Sequence, residues 1–71
     1  MTPAERELLT GMGNCFEACH ATFEETLEMV GGNRGLTPDE VRARLAAIRA
    51  RHADGPEYRR LRARLPEEFP F

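Results

Sequence analysis

Apolar residues follow a helical period along most of the chain, and no segment alternates with the two-residue period of a strand. In the first half of the chain, an apolar side chain returns at every seventh position: Leu9, Phe16, Phe23 and Val30. This phase continues through Gly11 and Gly13 and predicts one long helix over residues 3–30, bent at the glycines where another backbone approaches closely. The alternative interpretation is a short helix that ends near Thr10 and a second helix that begins at Asn14.

Four N-cap patterns mark the expected helix starts. In each, Thr, Asn or Asp stands three residues before a Glu, so that the cap oxygen accepts a backbone N–H while the Glu reaches back. The four cap residues are Thr2, Asn14, Thr37 and Asp54. Pro3 and Pro38 follow two of them at the first helical position, where the missing N–H costs no hydrogen bond. We expect helices to start at the first, third and fourth caps, because the second falls inside the long predicted helix.

The second half of the chain extends the pattern to an all-α fold. A glycine-rich turn at residues 31–35 ends the long helix, and a second helix is predicted over residues 38–52. A short third helix over residues 56–64 stops before Pro66, which cannot continue it. The apolar stripe of the second helix consists of Val41, Leu45 and Ile48 and ends in His52.

The predicted long helix carries more apolar surface than the rest of the single helical domain, residues 1–65, can cover. Its 28 residues span about 42 Å, whereas the 15 residues of the second helix span about 22 Å. A domain of about 60 residues also buries only about 60% of the surface of its unfolded chain. We therefore expect self-association as a homo-oligomer, or docking on a larger protein. The expected contact residues lie on the long helix and in an extended tail, residues 66–71: Leu9, Phe16, Phe23, Val30, Phe69 and Phe71.

The composition excludes several kinds of catalytic chemistry. The chain contains no Ser, Lys, Gln or Trp, and all ten basic residues are Arg. A serine nucleophile and a Schiff-base lysine are therefore absent, and the sequence places no other nucleophile beside a base. No apolar run reaches the length of about 18 residues that a membrane span needs, and no signal-peptide pattern is seen. These features predict a small non-enzymatic interaction module or accessory subunit, cytoplasmic and without a membrane partner.

Charge is distributed unevenly and suggests an alternative function. Residues 1–33 contain six Glu and one Arg, whereas residues 34–71 contain nine Arg and six acidic residues. A nucleic-acid-associated accessory protein would use the Arg-rich segment 42–64 to contact phosphates, through Arg42, Arg49, Arg59 and Arg60. The favoured interpretation is that the basic helices pair with the acidic first helix, since the whole chain is slightly acidic with a net charge of −2.

Two cysteines stand one helical turn apart and define a second alternative, a thiol or metal-binding protein. Cys15 and Cys19 share a helix face, His20 follows directly, and His52 ends the second helix. A zinc ion needs about four such ligands, so the candidate metal set consists of these four residues, or of thiolates from two chains. The favoured interpretation is that both cysteines are small apolar residues of the core.

The segment Glu67-Glu68-Phe69-Pro70-Phe71 resembles the acidic, Pro-Phe-terminated tip of bacterial single-stranded-DNA-binding proteins. The resemblance covers these five residues and implies a tip that docks on a partner enzyme, where the last Phe fills an apolar pocket and the carboxylates meet basic side chains. The alternative is a strap that folds back, in which Phe69 and Phe71 cover apolar surface of the helices or of a partner subunit.

Overall fold

The computed structural model describes residues 1–71 and contains four helices and no strand, which confirms the predicted all-α class. The helices are α1 (Pro3–Cys19), α2 (Phe23–Gly32), α3 (Pro38–His52) and α4 (Pro56–Arg62). The radius of gyration is 10.9 Å, close to the value of about 11 Å for a globular domain of this length. None of the four helices combines the length and the apolar character that crossing a membrane requires.

The prediction of one long helix over residues 3–30 is wrong, because the chain leaves the helix after Cys19. His20 adopts a left-handed conformation with φ 49° and ψ 39°, and its backbone N–H donates to the carbonyl of Phe16. Thr22 then begins α2 with a complete capping box, in which Thr22 and Glu25 bond to each other's backbone N–H. The heptad phase is the same on both sides of this break, so the apolar pattern alone does not reveal it.

α1 is continuous through Gly11 and Gly13, and side chains rather than a second backbone approach it there. A Cβ atom added to Gly11 would lie 2.6 Å from Nη2 of Arg34, and one added to Gly13 would lie 3.0 Å from Cζ of Arg64. The two glycines therefore make room for guanidinium groups that cross the helix. Asn14, predicted in one interpretation to start a helix, lies inside α1, and its Oδ1 accepts from Arg64 at 2.7 Å.

The other helix boundaries follow the sequence closely. Thr2 and Thr37 form the predicted capping boxes, and α3 covers residues 38–52 as expected. α4 begins at Pro56 as predicted, but its N-cap is Gly55 rather than Asp54, so no side chain caps the helix. It ends at Arg62, two residues before the predicted end.

The helices surround one apolar core. α2 runs back along α1, as shown by contacts from Cys15 to Met29 and from the Glu7 carbonyl to Arg34. α3 reaches the start of α1, where Arg51 pairs with Glu5. Twelve buried side chains, drawn from all four helices and the tail, form the core: Leu8, Leu9, Met12, Leu27, Val30, Val41, Leu45, Ile48, Tyr58, Leu65, Phe69 and Phe71.

The tail after α4 folds back onto α1 and α2. Phe69 meets the rings of Phe16 and Phe23 edge-on, with centroid distances of 5.5 and 5.2 Å, and Phe71 stacks on Phe23 at 6.0 Å. Both tail rings are buried, so the fold-back interpretation is confirmed. The docking tip implied by the resemblance to single-stranded-DNA-binding proteins would need these rings exposed, and the structure does not present them.

Arg62 holds this tail in place. Its guanidinium donates hydrogen bonds to the carbonyls of Leu65, Pro66 and Phe69 at 3.0–3.2 Å and lies 4.4 Å from the ring centroid of Phe71. The tail also contains a turn, in which the N–H of Phe69 donates to the Pro66 carbonyl, so it is less extended than predicted. A side chain from the predicted basic segment thus serves the core rather than a partner.

Candidate functional site

The apolar stripe predicted to contact a partner is covered by the chain itself. Leu9 is fully buried and Val30 is 2% exposed, both in the core between the helices. Phe16 and Phe23 are half-buried beneath the tail. The argument for self-association assumed a helix of 28 residues, whereas α1 has 17 and spans about 26 Å. Self-association stays a prediction, but no exposed apolar stripe on α1 or α2 supports it.

The four arginines predicted to contact nucleic acid have different surroundings. Arg42 pairs with Glu24 of α2 and with Asp39 of its own helix. Arg59 and Arg60 lie 4.0 Å and 3.9 Å from single carboxylate oxygens, distances typical of weak surface pairs. Arg49 is exposed and forms none of the ion pairs of the chain.

Ion pairs within the chain link the acidic first half to the basic second half. Glu5 pairs with Arg51, Glu17 with Arg64, and Glu24 with Arg42. Hydrogen bonding to Arg64 lowers the pKa of Glu17, and the hydrogen bond from the Thr2 backbone N–H, reinforced by Arg51, lowers the pKa of Glu5 to about 2. The favoured interpretation of the charge pattern is thus observed within one chain.

A groove of about 340 Å³ lies between α1 and α3 and is closed at one end by the turn after α2. Its apolar lining comes from both helices and the turn: Ala4, Leu8, Leu36, Ala47 and Ile48. Two of these residues, Ala4 and Ala47, are too small to fill the space between the two helices. The groove therefore has room for an apolar side chain of another molecule.

Arginines at the edge of the groove are poorly neutralised. Arg34 donates to the backbone carbonyls of Val30 and Glu7, which fix its position without neutralising its charge. Arg44 forms no ion pair. The pKa of Glu40 is lowered mainly by hydrogen bonds from Thr37, and the charge of Arg44 adds only a small contribution. Arg51, in contrast, pairs with Glu5. Glu5 and Glu7 also line the groove, so three arginines face two carboxylates, and the net positive charge is small. Arg34 and Arg44, which have no carboxylate partner, suit a ligand that is both acidic and apolar.

The predicted zinc set of Cys15, Cys19, His20 and His52 is not assembled. His52 lies near the start of α1, where its Nε2 is 3.3 Å from Glu5 Oε1, whereas the cysteines stand near the end of that helix. The His20 ring meets Phe16 edge-on at 5.4 Å. No group of three or more His, Cys, Asp and Glu side chains is close enough to hold a metal ion.

The two cysteines are free and less buried than a core position requires. Cys15 is half-buried and Cys19 is exposed. Burial raises the pKa of the Cys15 thiol, and the neighbouring Cys19 thiol raises it further. The Cys15 Sγ lies 3.8 Å from Sδ of Met29, which reaches it from α2. Met29 was not among the predicted site residues, because only the chain reversal at residues 20–22 brings it beside α1.

Two other site residues, Arg34 and Arg44, were also missed by the sequence reasoning. Arg44 lies within the Arg-rich segment, but periodicity does not distinguish it from its paired neighbours. The Thr22 capping box is the signal that would have divided the long helix and placed the turn after α2 beside α1. Comparison of the chain with protein-family models, with curated proteins and with solved structures finds no match.

Proposed function

We propose that this protein is a small non-enzymatic interaction module that binds an acidic, partly apolar segment of a larger protein in the groove between α1 and α3. The observation that carries the proposal is the combination of an apolar lining with two arginines, Arg34 and Arg44, that lack carboxylate partners. Among the large apolar side chains of the chain, only Met29 is exposed, and it lies outside this groove.

The two arginines have different roles in this proposal. Arg34 is held by two backbone carbonyls, so it offers its remaining N–H groups with little loss of side-chain freedom. Arg44 is exposed on α3 and free to form a two-pronged hydrogen bond with a carboxylate. A Leu or Val side chain of the partner would then pack on Leu8 and Ile48 below them.

Nucleic-acid binding through Arg42, Arg49, Arg59 and Arg60 is the less favoured alternative. Arg42 already has two carboxylate partners, so binding a phosphate there would first require breaking ion pairs within the chain. The net charge of −2 also opposes association with a polyanion. Self-association is a special case of the main proposal, in which the acidic segment belongs to a second copy of the chain.

The test uses synthetic peptides in which Glu alternates with Leu, compared with peptides in which Lys replaces Glu. We expect the acidic peptides alone to bind, and their amide chemical-shift changes to map to α1, α3 and the turn after α2. Arg44→Glu should weaken binding about tenfold or more, since a hydrogen bond between charged groups contributes about 1.5–3 kcal/mol.

Arg49→Glu is the matched control, because Arg49 is exposed on the same helix but does not line the groove. It should change the affinity less than twofold, roughly the effect expected of a distant surface charge. Equal weakening by both variants, or shift changes outside the groove, would contradict the proposal. Native mass spectrometry of the protein without peptide would identify a second copy as the occupant.

A further inference from the structure

Two sulfur atoms meet at the surface between α1 and α2, and a third lies one helical turn away on α1. Cys15 Sγ and Met29 Sδ are 3.8 Å apart, and Cys19 stands one turn beyond Cys15, close enough for the two thiols to interact. Met29 is the one large apolar side chain of the molecule that is exposed, at 38%. An exposed Met is unusual where the other large apolar side chains are covered, and here it lies against a thiol.

The spacing of the Cys15 and Met29 sulfurs suits two adjacent ligands of one metal ion. Two metal–sulfur bonds of about 2.3 Å that meet at about 120° place their sulfur atoms about 4 Å apart. The Cys15–Met29 separation of 3.8 Å is close to this value before any ligand is added. A surface depression lined by Cys15 and Met29 provides an entry path from solvent.

The ligand chemistry selects among metal ions. Thiolate and thioether sulfurs are soft ligands that favour Cu(I), whereas zinc prefers four ligands from Cys, His and carboxylates. His20 faces Phe16, His52 lies near the other end of α1, and no carboxylate joins the thiols in a cluster. We propose that Cys15, Cys19 and Met29 form a three-sulfur site for a single Cu(I) ion. The thiols release their protons to the solvent when the ion binds.

This site is separate from the groove between α1 and α3, so it is tested independently of the proposed partner. Reduced protein is titrated anaerobically with Cu(I) in competition with a chromophoric chelator such as bicinchoninate. We expect one Cu(I) per chain, and X-ray absorption should show a shell of three sulfurs without nitrogen. Cys15→Ser and Cys19→Ser should each weaken binding by about a hundredfold or more, since each removes a thiolate ligand.

Met29→Leu is the decisive variant, because it conserves volume at an exposed position and keeps both thiols. It should weaken Cu(I) binding about tenfold and reduce the sulfur shell from three atoms to two. His20→Asn is the matched control, since Asn tolerates the left-handed conformation and removes the nearest imidazole. It should leave the affinity unchanged.

Several results would overturn the site. If Met29→Leu bound Cu(I) as tightly as the unmodified protein, the thioether of Met29 would not be a ligand. A large loss of affinity in His20→Asn would indicate that an imidazole is the third ligand instead. One Cu(I) per two chains would place the metal between molecules instead of within one. Circular dichroism of each variant is the control that separates a loss of Cu(I) binding from a loss of helical structure.

Discussion

Threonine side chains begin three of the four helices, and each does so through the same pair of hydrogen bonds. Thr2, Thr22 and Thr37 accept the backbone N–H of a Glu three residues later at 3.1–3.2 Å, and that Glu accepts the N–H of the threonine. The threonine at position 22 has an added role, because its cap starts the helix that carries Leu27 and Val30 into the core. The start of α2 therefore depends on hydrogen bonds between residues only three positions apart in the sequence.

Replacing Thr22 tests this role. Thr22→Ala removes the hydroxyl that accepts from Glu25, and we expect the free energy of unfolding to fall by about 1 kcal/mol. Thr22→Ser is the matched control, since it keeps the hydroxyl and should retain most of the stability. Urea denaturation followed by circular dichroism measures both. Equal stability of the two variants would show that the cap does not stabilise α2.

At the scale of elements, the tail acts as a further layer of the core. It contains no helix, yet it contributes two of the twelve core side chains, Phe69 and Phe71. Arg62 satisfies three carbonyls of this segment, so the irregular backbone is covered without losing its hydrogen bonds. The tail thereby covers the aromatic side of α1 and α2, which the helices leave open.

Truncating one tail ring should show how much this layer contributes. Phe69→Ala removes two edge-on contacts with Phe16 and Phe23 and leaves a cavity, so we expect a loss of about 3–5 kcal/mol in the free energy of unfolding. Glu68→Ala, at an exposed position beside it, should change stability by less than about 0.5 kcal/mol. A small loss in Phe69→Ala, measured by chemical denaturation, would mean that the tail packs loosely.

At the scale of the whole molecule, carboxylates tie distant segments to one another. Glu5 joins the start of α1 to the end of α3, Glu17 joins α1 to the turn after α4, and Glu57 joins α4 to Arg6. Hydrogen bonds to cap backbones or arginines lower the pKa values of five carboxyls: Glu5, Glu17, Glu25, Glu40 and Glu57. Each of the five is therefore ionised more readily in the folded chain than in the unfolded chain.

The stability of the fold should consequently fall in acid. A carboxyl with a lowered pKa in the folded state contributes stability above its ordinary value of 4.5, and this contribution disappears as protons bind. For Glu5, whose pKa is about 2, the loss should extend from about pH 4.5 to pH 2. The measurement is the midpoint of urea denaturation at a series of pH values in this range.

Glu5→Gln provides the control for this pH dependence. Glutamine can complete the capping box with Thr2 but does not titrate, so the variant should show a shallower fall in stability between pH 4.5 and pH 2. An identical slope in both proteins would assign the acid sensitivity to other carboxyls. A rise in stability on acidification would contradict the sign of the pKa shifts.

Features set by neighbouring residues could be predicted from the sequence, and features set by the course of the chain could not. The caps at Thr2 and Thr37, the bounds of α3 and the all-α class follow from bonds and periodicity within a few residues. The sequence also contains the Thr22–Glu25 capping pattern, but the continuous heptad phase favours one long helix over a helix start at that position. For the candidate sites, Cys15 and Cys19 were identified, whereas Met29 and Arg44 needed the three-dimensional arrangement.

Capping and helical periodicity act over three or four residues, so the order of residues is enough to specify where most helices begin and which of their faces are apolar. What those apolar side chains contact depends on how the helices fold against one another. Leu9 and Val30 would have the same heptad phase in one straight helix or in two that fold back on each other. The reversal at His20 brings them into one core and places Met29 beside Cys15. The tail, held by Arg62, then covers that core.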